Sequence, residues 1–162
     1  MTWVYFDASA LVKRYTAETG TALINELFQR LPADRLTCAT IGLLEIVSVL
    51  VRKRNDGRLS ADLFAQAMLE INHEIIENPA FLVTAIADSL LISALPLIAQ
   101  HNLNATDAII LQSSLDFQSN LDSEKLILWT SDKRLVRAAN QEGLTTFDPE
   151  VDTLMTLESF LP

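Results

Sequence analysis

The chain has 162 residues, 49% apolar and 20% charged, enough for one domain with a sizeable core and too apolar for a disordered chain. The formal net charge of −9 argues against a broad electrostatic grip on nucleic acid, though not against a local basic groove or acids masked by cations. The single cysteine, Cys38, excludes an intrachain disulfide framework and a cysteine-based zinc site, and is compatible with a reducing cytoplasm.

The N-terminus meets Asp7 before any long apolar region develops, so no secretory signal is expected. Residues 2–6 read as a short buried strand that ends in that carboxylate. A helical stretch follows from Ala8 to about Arg30, broken near Gly20 and ended by Pro32. Arg35 to Cys38 is a second short strand. Thr40 can cap a helix to about Asn55 that is apolar almost all round, which predicts burial against the sheet and against something else, such as a second subunit. Asn55-Asp56-Gly57 ends it, and Ser60 caps a helix over about 61–77.

A strand is expected near Phe81–Thr84. The next helix, Ala87 to Asn102, should be interrupted at Pro96, and the apolar stretch Ala85 to Ala99, with Asp88, Ser89, Ser93 and Pro96, is too broken and too short for a membrane span. Asn104-Ala105-Thr106 opens a helix over about 107–118. Lys125–Trp129 is a strand, Asp132–Gln141 a helix stopped by Gly143, and Leu144–Phe147 a last strand before an acidic tail. No repeat or interdomain linker is visible.

Strands alternating with helices predict a single α/β domain over residues 1–162. Its form is a three-layer α/β/α sandwich around a central parallel sheet of about five strands. Right-handed crossovers place the carboxyl ends of all strands on one side. Asp7 and Asp132 follow strands directly and should share that edge.

Four acids adjoin apolar runs. Asp7 could simply cap the following helix. Glu45 is harder to dismiss: it lies mid-helix among Leu43, Leu44, Ile46 and Val47, with no basic residue three or four positions away, so it needs a distant cation, a metal, a raised pKa or an exposed stripe. Asp107 and Asp132 each begin a helix after a hydroxyl residue, where the helix dipole alone favours an acid. Together the four form a different pattern. Clustered carboxylates repel unless cations intervene, and hard oxygen donors select Mg²⁺ or Mn²⁺, metals that can hold and hydrolyse a phosphodiester.

At these residues the chain resembles a PIN-domain ribonuclease, especially the VapC-like toxins of bacterial toxin–antitoxin pairs. The resemblance rests on Val4-Tyr5-Phe6-Asp7-Ala8-Ser9-Ala10-Leu11-Val12-Lys13, on Glu45 within Ile41–Arg54, on Asp107-Ala108-Ile109-Ile110-Leu111, and on Thr130-Ser131-Asp132-Lys133-Arg134-Leu135. It implies that Asp7, Glu45, Asp107 and Asp132 are the catalytic, metal-binding quartet, with Ser9 and Thr130 supporting the first and last acids. It also implies Mg²⁺- or Mn²⁺-dependent RNA cleavage in the cytoplasm, a homodimer, and an antitoxin protein that inserts a segment near the site. The strong acidity departs from a typical ribonuclease and leaves the RNA-holding surface open.

Arg52, Lys53, Arg54 and Arg58 read first as a solvated helix end that complements its dipole, with RNA contact as the alternative. Lys13, Arg14, Lys133 and Arg134 lie near site acids in sequence, to hold phosphate or to offset repulsion. His73 and His101 lack ligand spacing and are expected at the surface or as caps; Trp3 and Trp129 are expected in the core. An aspartate-nucleophile phosphatase needs a second acid two residues after the first, where Ser9 stands, and a phosphoreceiver needs paired acids after the first strand. A noncatalytic or regulatory PIN-like domain binding metal or nucleic acid remains as the other reading.

Overall fold

The computed structural model describes residues 1–161. Five strands, β1 (Thr2–Phe6), β2 (Leu36–Ala39), β3 (Leu82–Thr84), β4 (Lys125–Trp129) and β5 (Thr145–Phe147), pair in parallel in the order β3-β2-β1-β4-β5. Strand order reverses beside β1, between β1 and β4, and that is where open α/β sheets leave a crevice beyond their carboxyl ends. Register brings those ends level: Phe6 pairs with Cys38 and Trp129, and Trp129 with Phe147.

The pleat of β1 divides the core. Val4 and Phe6 point to one face with Leu11, Ile24, Leu27, Ile46, Leu50 and Leu157, contributed by α1 (Ala8–Leu11), α2 (Thr21–Arg30), α3 (Thr40–Asn55) and the C-terminal α8 (Leu154–Phe160). The helix α4 (Ala61–Ile71) closes the same layer through Ala67 and Ile71. Tyr5 points to the other face. There it meets Ala94 and Leu97 of α5 (Asp88–His101), Ile110 and Leu111 of α6 (Ala105–Ser119), and Leu135 and Ala138 of α7 (Lys133–Gln141). The result is the expected three-layer sandwich, with each strand of the centre buried on both faces.

Several local expectations change. The helix from Ala8 turns into a 3₁₀ turn at Val12–Arg14 and stops well before Gly20. Thr40 does not cap α3; Ala39 holds that position and the Thr40 hydroxyl donates to the Thr84 carbonyl, tying α3 to β3. Ser60 caps α4 as expected, accepting from Leu63 N–H, and the helix passes into a π-helical turn at Asn72–Ile76. α5 runs unbroken through Pro96, whose missing donor frees the carbonyl of Ile92, a residue 68% exposed, so water can take the lost partner's place. The near-uniform apolar character of α3 does not mean uniform burial: Gly42, Ile46 and Leu50 are buried while Leu44 is 68% exposed. No helix among the described residues is long and apolar enough to cross a membrane.

Candidate active site

Asp7 leaves β1 in extended conformation, and its N–H continues the β1–β4 ladder by donating to the Trp129 carbonyl across 2.9 Å. Its carboxylate is held by three donors, all on Oδ2: Ser9 Oγ at 2.5 Å, Thr130 Oγ1 at 2.9 Å and Ser9 N–H at 3.2 Å. No side-chain donor among the described residues reaches Oδ1. The two hydroxyls also bind the next strand's loop, because Ser131 N–H donates to Ser9 Oγ and Asp132 N–H to Thr130 Oγ1. Burial nonetheless pushes the Asp7 carboxyl up, outweighing the donation from Ser9 and Thr130.

Asp132 is the N-cap of α7, with Oδ1 accepting from the N–H groups of Arg134 and Leu135. Asp107 sits in the first turn of α6 and exchanges two bonds with the cap residue: its N–H donates to Asn104 Oδ1 and Asn104 Nδ2 donates to its Oδ2, each across 2.8 Å. The arrangement has the logic of a capping box and fixes the carboxylate. Glu45 comes from the opposite layer, on a stripe of α3 shared with Ser48, Val49 and Arg52.

These elements meet at one cavity of about 220 Å³, lined by Asp7, Ser9, Glu45, Arg52, Asp107 and Asp132 among others. The acids feel one another. Glu45 is pushed up to about 7, first by burial and then by the charges of Asp7 and Asp107, with Arg52 opposing. Asp107 is pushed up to about 6 by burial and by Asp132 and Asp7, with Arg134 and Asn104 opposing. The cavity is therefore short of positive charge. Its donors are carboxylate oxygens and hydroxyls without histidine or cysteine, a set that fits a hard divalent cation. Among the described residues no three His, Cys, Asp or Glu side chains already stand together as a metal-holding group, so the fit is one of donor chemistry and charge.

The description of a family, PIN domain, matches residues 43–150, more than half of the chain. The chain belongs to the PIN-domain family. The match spans Glu45, Asp107 and Asp132, and the sheet brings Asp7 of this PIN domain beside them. Its fold is similar to that of PAE2754 from Pyrobaculum aerophilum, at 19% identity and a TM-score of 0.67, covering 98% of this chain and 99% of that one. FitAcB from Neisseria gonorrhoeae is similar at 13% identity and a TM-score of 0.62, covering 92% and 99%. A toxin–antitoxin complex from Klebsiella pneumoniae is similar at 16% and 0.58, covering 90% and 97%. No curated protein sequence matches this PIN domain.

All six residues expected at the site lie at this edge, four of them as acids lining one cavity. The cations differ from expectation. Lys13 is 3% exposed and bonds Glu150 across 2.5 Å, while Arg14 clamps Glu74 and covers the Phe28 ring, and neither lines the acid cavity. Of the cluster after Glu45, Lys53 pairs with Glu18 and Arg58 with Asp56, but Arg52 lines the cavity. Seven positions from Glu45 is two helical turns, a spacing that could have marked Arg52. His101 is not at the surface: it is buried with its ring nitrogens against Gln141 and Glu142. Trp129 is in the core, stacked on Phe147 with centroids 4.2 Å apart. Trp3 is half-buried, with Arg35 over its ring and its Nε1–H on Glu124.

Proposed function

We propose that this PIN domain is an Mg²⁺- or Mn²⁺-dependent endoribonuclease that hydrolyses RNA phosphodiester bonds as the toxin of a toxin–antitoxin pair. The observation that carries the reading is the convergence of Asp7, Glu45, Asp107 and Asp132, from four separate elements, on one acidic cavity short of positive charge at the reversal of strand order. Asp7, Glu45, Asp107 and Asp132 would hold the metal and are the proposed catalytic residues. A bound divalent cation supplies a polarised phosphate, a water of lowered pKa and a stabilised leaving oxygen.

The protein's part is placement. Ser9 and Thr130 occupy Oδ2 of Asp7 and so orient Oδ1 as the oxygen left for a ligand. The helix-cap bonds hold Asp132 and Asp107 at fixed rotamers. Glu45 makes no hydrogen bond among the described residues and is the carboxylate most able to adjust. Arg52 is the cation positioned to meet a phosphate at the cavity mouth. The antitoxin partner is supported by the similarity to a toxin–antitoxin complex. A homodimer would cover exposed apolar residues such as Leu44.

The test is RNA cleavage by the purified protein with Mn²⁺, against Asp7→Asn and Asp107→Asn. Both substitutions should abolish cleavage while the fold survives; undiminished cleavage by both ends the proposal. A noncatalytic binding domain is the second reading, favoured by the acids not already standing as a three-residue metal group among the described residues. Absence of Mn²⁺ binding at millimolar concentration by calorimetry decides for it.

A further inference from the structure

The acidity of the chain hides an uneven use of its cations. Lys13, Arg14, Arg30, Arg35, Lys53 and Arg58 are each tied up in an ion pair. Among the described residues Arg52, Arg54, Lys125, Lys133, Arg134 and Arg137 form none, and the last three stand exposed together on α7. Their helix starts at the acid cavity. Asp132 lines that cavity, and Lys133, the next residue, lines a second and larger one of about 730 Å³. Arg137 follows one turn later, about 6 Å further along the axis.

The larger groove is rich in donors. Asn140 Oδ1 accepts from Thr146 Oγ1, and Gln141 Oε1 lies 3.0 Å from the His101 ring. Both amide oxygens are thereby engaged, which leaves the NH₂ groups without a protein acceptor among the described residues. Val136 and Val151 add apolar wall. Two acids also line the groove, and each has one oxygen bonded within its own loop: Asp152 Oδ2 accepts from Asp148 N–H and Asp148 Oδ1 from Glu150 N–H. Free cations, free amide donors and an apolar wall suit a ligand that carries anionic phosphates, base acceptors and a flat ring.

We infer that α7 carries the RNA strand away from the acid cavity, with Lys133 and Arg137 on its phosphates and the groove between α7, β5 and residues 148–152 seating a flanking nucleotide. The inference rests on the ribonuclease reading and names the surface that holds its single-stranded substrate. It also offers a route by which a chain of net charge −9 could bind RNA: of the six cations without an ion pair among the described residues, Arg52 lines the acid cavity and Lys133, Arg134 and Arg137 lie on the helix that starts there, while Arg54 and Lys125 lie elsewhere.

The test uses the full chain with Asp7→Asn, to prevent cleavage, and a fluorescently labelled single-stranded RNA oligonucleotide. Adding Lys133→Ala and Arg137→Ala should raise Kd at least about tenfold and flatten the dependence of log K on log salt by about 1.4, two phosphates at roughly 0.7 each. Arg137→Lys should keep most of the affinity. Lys125→Ala removes another cation with no ion pair among the described residues, at the start of β4 and the opposite end of the sheet, and should change neither quantity. Circular dichroism checks that the variants fold. Wild-type Kd and salt slope in the double variant would overturn the inference, as would no measurable RNA binding by the Asp7→Asn parent. If the double variant loses RNA but the unmutated protein never cleaves it with Mn²⁺, the ribonuclease reading fails and the α7 surface stands. If the unmutated protein cleaves and the double variant binds RNA as tightly as its Asp7→Asn parent with the same salt slope, only the α7 surface fails.

Discussion

Thr130 Oγ1 donates to Asp7 Oδ2 across 2.9 Å, joining the residue after β4 to the residue after β1 over 123 positions of sequence. Both residues are buried, so the hydroxyl cannot be replaced by solvent without rearrangement. Thr130→Val keeps the shape and removes the donor. On the proposed reading of Asp7 as a metal-holding acid, cleavage should fall about 10- to 100-fold, and the fold should lose about 1–2 kcal/mol. Steady-state RNA cleavage and urea unfolding measure the two effects. Full activity in Thr130→Val would show that Ser9 alone orients Asp7.

The metal-free protein should lose stability as pH rises from about 4 to 7. Asp7, Glu45 and Asp107 all have carboxyls raised on folding, so the folded state binds the proton more tightly than the unfolded one. Stability is therefore greatest below the unfolded values and falls as pH passes through the folded ones, from 4.5 to about 7 for Glu45 and from 3.8 to about 6 for Asp107. Glu45→Gln should be more stable than wild type by about 1 kcal/mol at pH 8, discounted for partial exposure, and equal to it near pH 4. Urea titrations in chelator measure it. A gap that does not change with pH would contradict the repulsion inferred among the acids.

Lys13 offers the opposite contrast. It is buried against Glu150 and Glu18, away from the cavity. Lys13→Ala should cost about 2 kcal/mol through the lost packing of its buried stem, with little added by its pairs to the partly exposed Glu150 and Glu18, and leave kcat/KM per folded molecule unchanged. A drop in kcat/KM at full folding would return Lys13 to the phosphate.

Gly20 has φ +94°, and a Cβ there would come within 2.8 Å of the Pro149 carbonyl oxygen. Gly57 has φ +80° with no atom within 4 Å of a Cβ. Gly57→Ala should cost about 1 kcal/mol, from backbone conformation alone, and Gly20→Ala distinctly more, from conformation plus contact. Thermal unfolding of the pair separates the two effects. Equal losses would mean that the Pro149 segment moves aside freely.

Arg52→Ala should raise KM for RNA about tenfold with a smaller change in kcat, because the residue lines the cavity, where the proposed role is to meet the phosphate, and hydrogen-bonds none of the four acids among the described residues. A fall in kcat with constant KM would instead make Arg52 part of the charge balance around Glu45.

Local signals carried most of the fold and picked out the acids of the candidate site. Apolar runs ending in Asp7 and Trp129 read as strands because a strand buried on both faces must be apolar throughout. Ser60, Asn104 and Asp132 announced their helices because an orphan N–H takes the nearest side-chain oxygen. Glu45 stood out because nothing within a helical turn could neutralise it. What depended on distant partners was not legible. Thr40 bonds across to Thr84, His101 to Gln141 and Glu142, Lys13 to Glu150 and Arg14 to Glu74. Proximity in sequence to a site acid therefore left open the roles of Lys13 and Arg14, which their distant partners Glu150 and Glu74 decide. By itself the sequence determined the alternation of elements, and hence that Asp7 and Asp132 face the same way. Only the tertiary structure decided that Asp107 and Glu45 reach the same cavity from opposite layers, and which cations remain free, because charge pairing depends on distance through space rather than along the chain.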